Sequence, residues 1–212
     1  VVGFVFSKVL PLQIPNYSLF LLIGLLSWNW FQTSLHAVTG SIVDNRELIR
    51  QPGFPTSMLP VVTITTNLVH FVLALPILIV MILLSGHGLS PVALFLPVVI
   101  LLQFLLTLAL GYLLATLHVS LRDTQYLVGV ALLLGFYVTP IFYDPSSIPA
   151  RYQLIFQLNP MLQIIEAYRS LLIDQQLPAL LPLALLALFS IALLWFTHRL
   201  FVRTSYYFVE EL

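Results

Sequence analysis

The sequence predicts an all-α membrane protein, and three observations carry that prediction. Of its 212 residues 60% are hydrophobic and only 8% are charged, with a mean hydropathy of +1.04. Soluble domains carry roughly 25% charged residues, so charges this few cannot coat a water-facing surface. Long apolar runs cover residues 17–39, Met58–Leu84, 91–117 and 178–201, each reaching the roughly 20 residues that cross a bilayer. Period-2 alternation is absent, which argues against a β-barrel.

The elements follow in order. Residues 1–10 are apolar, too short to cross, and lack the charged start of a signal peptide. They read as the outer half of a first span that begins before residue 1. Runs 17–39, Met58–Leu84 and 91–117 give spans two to four, the shorter 124–142 gives span five, and 178–201 gives span six. Pro60, Pro76 and Pro97 fall inside these runs, and Pro76 and Pro97 are candidate kinks. No repeat or linker divides the chain, so 1–212 is one domain.

Six spans put both ends of the protein on one side, and the connectors alternate. On one side lie 40–55, 118–123 and the tail from Arg199, with Arg46, Arg50, Arg122, Arg199 and Arg203. On the other lie 11–16, 85–90 and 143–177, with Arg151 and Arg169. The basic excess favours the first set as cytoplasmic.

The connector 139–178 is cut by Pro145, Pro149 and Pro160 into pieces too short to span. Its second half is amphipathic over 161–173. Met161, Ile164, Ile165, Tyr168, Leu171 and Leu172 form the apolar side, and Gln163, Glu166, Arg169 and Ser170 the polar side. Asn159 suits an N-cap and Pro160 a first helical residue, and Glu166 and Arg169 are spaced to pair. Such a helix lies in the interface or dips in and returns. It either braces the fold or gates the outer mouth of a path, with Tyr143, Asn159, Pro160, Tyr168 and Arg169 as the gate residues.

In the stretch WNWFQTSLH, residues 28–36, Asn29, Gln32, Thr33 and Ser34 are costly against lipid. Trp28, Trp30 and Phe31 sit among them. The stretch is either an aromatic belt with packing amides or, through Trp28, Trp30, Phe31 and Gln32, the lining of a path for sugar rings, whose C–H faces stack on aromatics.

Several chemistries are missing from the sequence. It has no GxxxxGK[ST], HExxH or GxSxG, and no cysteine. No catalytic or metal site is expected, and a formal net charge of zero gives no electrostatic case for nucleic acid. No charged residue is expected at mid-membrane, which argues against ion-coupled transport.

Against that background one charged stretch stands out, DNRELIR, residues 44–50, ending in Pro-Gly-Phe-Pro. Asn16–Phe31, residues 44–60 including DNRELIRQPGFP, SLRDTQYL at 120–127, and the ordered signals TPIFY, IP, LNP and YR between 139 and 172 resemble the membrane subunits of ATP-binding-cassette polysaccharide exporters. The resemblance implies a permease subunit without enzyme activity of its own, in the bacterial inner membrane, lacking here an amino-terminal interface helix and part of the first span. It implies a homodimer passing a lipid-linked glycan among membrane lipids, with ATP and Mg bound by a partner ATPase. A short helix over 42–50 would then dock on that ATPase, with Asp44, Asn45, Arg46, Glu47 and Arg50 as the rim and Leu48 and Ile49 as the apolar anchor. A drug-exporting permease shares the architecture, and an energy-independent channel is the reading from a different class.

Overall fold

The computed structural model describes residues 16–86, 88, 90–145 and 149–208, and every regular element among them is helical. The proposed remnant of a first span, 1–10, lies outside the described residues. The helices are α1 (Tyr17–Gly40), α2 (Arg46–Ile49), α3 (Met58–Leu84), α4 (Leu96–Ser120), α5 (Thr124–Val138), α6 (Ala150–Gln157), α7 (Pro160–Leu172) and α8 (Leu180–Thr204). One-turn 3-10 segments at Val43–Asn45, Pro91–Phe95 and Ser205–Tyr207 lead into α2 and α4 and follow α8.

Prolines and the caps Ser90 and Asn159 set several boundaries, and α5 stops at Val138, four residues short of the expected 142. Pro97 falls in the first turn of α4, where the missing N–H costs no helical bond, so it does not kink the helix as expected. Pro76 is the proline inside α3. Three helical segments are long and apolar enough to cross a membrane: Met58–Leu84, Pro91–Ser120 and Leu180–Tyr207. At 24 residues α1 is also long enough, at about 36 Å, but a strip of polar residues lowers its apolarity. At 15 residues α5 reaches only about 22 Å, because Pro140 forces Thr139 into an extended conformation and stops the helix.

α4 is the spine, packed against α8, α1, α3 and α7. Close approach is possible at Gly111, where an added Cβ would lie 3.0 Å from Ile64 of α3 and 3.1 Å from Val38 of α1. Gln103, fully buried, donates from Nε2 to the Ser27 carbonyl of α1 at 2.8 Å. A hydrogen bond of this kind, shielded from water, fixes the register of the two helices.

The connectors gather at two ends as their alternation requires. At one end Asp44 packs over Gly40 beside Gln125. Tyr112 donates to the Ser57 carbonyl at 2.9 Å and meets His198 and Phe201 of α8 edge-on. At the other end Gln175 donates to the Gly88 carbonyl at 2.7 Å, and Tyr17 to the Phe142 carbonyl at 3.0 Å.

α7 does not float beside the bundle. Tyr168 lies 6.1 Å from Phe71, ring to ring, and Phe71 stacks on Trp30 at 4.8 Å. Phe71 is halfway along α3, so α7 reaches the middle of the bundle from one end and returns. Between the interfacial and re-entrant alternatives, the packing is re-entrant.

This packing makes two glycines unequal. A Cβ on Gly24 would lie 3.0 Å from Arg169 Nη2 and 3.2 Å from Ile141 Cγ2, whereas nothing lies within 4 Å of one on Gly129. Gly24→Val is expected to lower the thermal midpoint of the detergent-purified protein by several degrees. Gly129→Ala is expected to hold or raise it, alanine being the better helix former by about 1 kcal/mol. Equal midpoints for the two variants would show that the Gly24 contact is not tight.

Candidate functional site

Where α5 ends, the backbone at residues 139–142 is irregular and buried, with Thr139 and Ile141 at 1% and 0% exposure. Buried carbonyls must find donors, and here side chains supply them. Arg169 of α7 donates from Nη1 to Pro140 O at 2.9 Å and from Nη2 to Ile141 O at 3.0 Å. Nη2 also reaches the Phe20 carbonyl of α1 at 3.4 Å. Tyr17 takes the Phe142 carbonyl, and Asn159 donates from Nδ2 to Thr139 Oγ1 at 2.9 Å. The Tyr143 hydroxyl donates back to the Val138 carbonyl at 3.1 Å.

Arg169 therefore does not lie on a solvated polar side of α7, as its place in the amphipathic pattern suggests. It is 5% exposed, and its Cζ sits 3.3 Å from the Phe20 ring centroid. Nor does it pair with Glu166, since the ion pair found among the described residues is Arg46–Glu47 at 3.8 Å. The side chain is long enough to turn under the helix, and carbonyls with a ring face make a better buried socket than one flexible carboxylate. Burial pulls the guanidinium down to about 10, with Glu166, Asp144, Tyr17 and Asp174 opposing, so it stays charged at neutral pH. Partial burial raises the Glu166 carboxyl, Arg169 opposes that and Asp144 adds to it.

The helix carrying Arg169 starts as expected. The Asn159 side chain accepts from Met161 N at 3.0 Å, and Pro160 opens the first turn. Tyr143, Asn159, Pro160, Tyr168 and Arg169 are thus brought to one region, with Tyr168 buried beneath it. Beside them opens a cleft of about 490 Å3, lined by Asp144, Gln163, Glu166, Ser170 and Asp174 with Arg169 in its wall. Among the described residues no three histidine or carboxylate side chains gather as metal ligands would.

The residues singled out on α1 divide differently. Trp28, Trp30 and Phe31 are 4%, 2% and 6% exposed. Trp28 packs on Phe136 of α5, Trp30 stacks on Phe71 of α3, and Phe31 packs on Trp28. As candidate lining these three rings are corrected: they face protein, because their size repays burial between helices. Gln32 is exposed and accepts from Trp28 Nε1 at 2.9 Å. With Asn29, Thr33 and His36 it forms an exposed strip at i, i+3, i+4 and i+7 spacing. Asn29, Thr33 and His36 were not among the expected lining, although that spacing was available in the sequence. On neighbouring α3, Thr63, Thr66, Asn67 and His70 repeat the pattern, with Thr66 and His70 exposed.

The charged connector is built as a ledge. Residues 42–50 form a 3-10 turn and the short α2, not one helix. Ile42 and Ile49 are buried, while Leu48 is 37% exposed among the exposed Asp44, Arg46, Glu47 and Arg50. Ile49 is therefore not a free anchor, because it ties the ledge to its own bundle. Asn45 does likewise, donating from Nδ2 to the Ser41 carbonyl at 2.8 Å.

Residues 1–173 match the family model described as ABC-2 type transporter. The chain belongs to the ABC-2 type transporter family. It is 36% identical over 209 residues to the O-antigen export system permease protein RfbA of Myxococcus xanthus, covering 98% of this chain and 80% of that one. It is 32% identical over 174 residues to the protein of the same name from Klebsiella pneumoniae, covering 81% of this chain and 66% of that one. This ABC-2 type chain is thus a membrane transport subunit, and its ledge, strip and clamped outer turn are parts of a transporter.

The clamp makes a graded prediction. Arg169→Leu strands the carbonyls of Pro140 and Ile141 and is expected to cost about 2–5 kcal/mol, seen as loss of folded protein after extraction. Arg169→Lys keeps the charge but not the fork, and its thermal midpoint is expected between those of the parent and Arg169→Leu. An Arg169→Leu protein as stable as the parent would remove the clamp from the account of the fold.

Proposed function

We propose that this chain is the membrane subunit of an ATP-driven exporter that moves lipid-linked polysaccharide across the bacterial inner membrane. It works as a homodimer with two partner ATPase subunits. The family and the names of both relatives, O-antigen export system permease proteins, support this reading. The observation that carries it is the polar strip Asn29, Gln32, Thr33 and His36, exposed along a membrane-length helix. Amides exposed to hydrocarbon are costly, so the strip faces protein or a polar passage. Uncharged amides and hydroxyls suit a neutral polyhydroxylated cargo better than an ion, and a second copy would close the strip into a path.

Energy enters through the ledge, whose exposed apolar centre and charged rim fit a protein contact. Such contacts place most of their energy in a few anchors, while the rim tunes encounter. Here the anchor is Leu48 alone, Ile49 being committed to the permease itself.

Two measurements test the reading. Asn29→Leu combined with Gln32→Leu is expected to lower glycan export about five- to 150-fold, at about 0.5–1.5 kcal/mol for each lost hydrogen bond. Assembly and ATP hydrolysis should remain. Trp28→Ala, by contrast, should act through stability. Full export by the double leucine variant would disconnect the strip from the cargo.

Leu48→Asp puts a charge into an apolar contact and is expected to abolish pull-down of the ATPase while membrane insertion stays normal. Glu47→Ala and Arg50→Ala should weaken it mildly and in a salt-dependent way, exposed charges being worth about 0–1 kcal/mol. If Leu48→Asp retains its ATPase, the ledge is not the coupling contact.

A further inference from the structure

α8 packs chiefly on α4, with a smaller contact to α7, and leaves one face bare. Leu181, Leu185, Leu188, Trp195, Arg199 and Arg203 all lie exposed. At about 100° per residue they fall in one column within about 40° of its axis. The column is aliphatic at its start, aromatic at Trp195 and basic at its end.

Its dimensions match one bilayer. At about 1.5 Å per residue, Arg199 lies about 27 Å and Arg203 about 33 Å along the helix from Leu181. The hydrocarbon core is about 30 Å thick. When Leu181 sits at one edge of that core, the two guanidiniums lie at the headgroup layer of the opposite leaflet, and Trp195 lies just inside it, where such rings settle.

The basic end is also shaped. Arg199 Cζ lies 4.0 Å from the Trp195 ring centroid, which holds the side chain along the helix. These two residues, with Phe196, Leu200 and Arg203, border a groove of about 190 Å3. Neither arginine has an ion-pair partner among the described residues. Two guanidiniums without an acidic partner among the described residues, beside an apolar column, are complementary to a phosphate carrying acyl chains, and guanidinium matches phosphate oxygens in a fork.

We propose that this face of α8 binds an anionic phospholipid of the surrounding membrane. Arg199 and Arg203 hold its phosphate, and its chains lie along Trp195 and Leu188, the part of the column within about 15 Å of Arg199. The face is separate from the polar strip of α1, since α4 packs between α8 and α1. The ligand is therefore a resident lipid and not cargo, and the site stands whether or not the cargo is a glycan.

Native mass spectrometry of the full-length protein in mild detergent tests this, titrated with phosphatidylglycerol and phosphatidylcholine. The parent should retain phosphatidylglycerol preferentially. The pair Arg199→Ala and Arg203→Ala should cut that preference about 30-fold, at about 1 kcal/mol for each basic residue beside an anionic lipid. Retention of phosphatidylcholine should not change. The pair Arg199→Lys and Arg203→Lys should keep most of the preference.

A parent without preference, or a double alanine variant that keeps it, overturns the site. So does tighter retention of a polyprenyl pyrophosphate than of phosphatidylglycerol, lost in the same variant, which would make the face a cargo site. Should the double alanine protein not assemble, the single variants Arg199→Gln and Arg203→Gln decide in the same way, each expected to lower the preference about fivefold.

Discussion

One guanidinium holds one end of this bundle together. The break at Pro140 leaves a buried turn whose carbonyls have no helical partners, and Arg169 supplies donors to two of them and to a third on α1. A charge taken from water without partners would cost far more than any fold could offset. Here it lies on the Phe20 ring with fixed dipoles around it. The dependence runs both ways: the turn needs the arginine, and the arginine needs the turn, Gly24's missing side chain and the first turn of α1. Three segments distant in sequence are thus joined at one point, and the re-entrant path of α7 follows from it.

The opposite end is built on different physics. There Gly111 lets three helices approach, and Tyr112 meets His198 and Phe201 of α8. Its donor–acceptor links, such as Tyr112 to the Ser57 carbonyl, are single bonds and not a clamp. Between the ends α4 forms a continuous spine, and the aromatic chain Trp30, Phe71 and Tyr168 fills the middle. At the Arg169 end the irregular backbone is buried and an arginine satisfies it, which is the condition a membrane imposes on any unwound segment.

How much of this was legible depended on the kind of signal. The start of α7 was readable because its cause is local, Asn159–Pro160, whereas at α5 the apolar run continues to 142 and hides the stop at Thr139–Pro140 that ends the helix at Val138. The grouping of connectors at two ends followed from counting spans. Orientation of individual side chains was not readable. In 28–36 the composition mixes rings and amides, and only the packing of α1 on α3 and α5 decides that the rings turn inward and Asn29, Gln32, Thr33 and His36 outward. Their spacing at i, i+3, i+4 and i+7 was a usable signal, stronger than residue type. Arg169 misled for a related reason. A helical wheel places its Cα, but four rotatable carbons decide where the charge goes, and its true partners are backbone carbonyls 28, 29 and 149 residues away. Ile49 shows the same limit, since adjacent apolar residues on one turn can face opposite ways.

The placement of charge constrains how motion can be driven. Among the described residues of the bundle the buried arginine, Arg169, is locked to carbonyls, and the exposed strip of α1 carries amides, a hydroxyl and an imidazole. On the proposed reading force arrives mechanically. The ledge is suited to deliver it. Ile42 and Ile49 bury into the bundle, Asp44 packs over Gly40 at the last residue of α1, and Ser41 closes the helix by donating to Val38. A push on exposed Leu48 then meets a rigid extension of α1 and not a hinge. Since α1 also carries the polar strip and, at its far end, the Phe20 contact of the arginine clamp, displacement at the ledge would move the strip and load the outer turn together. On the proposed reading the same helix links the point where force enters, the surface that meets the cargo and the clamp that would yield last.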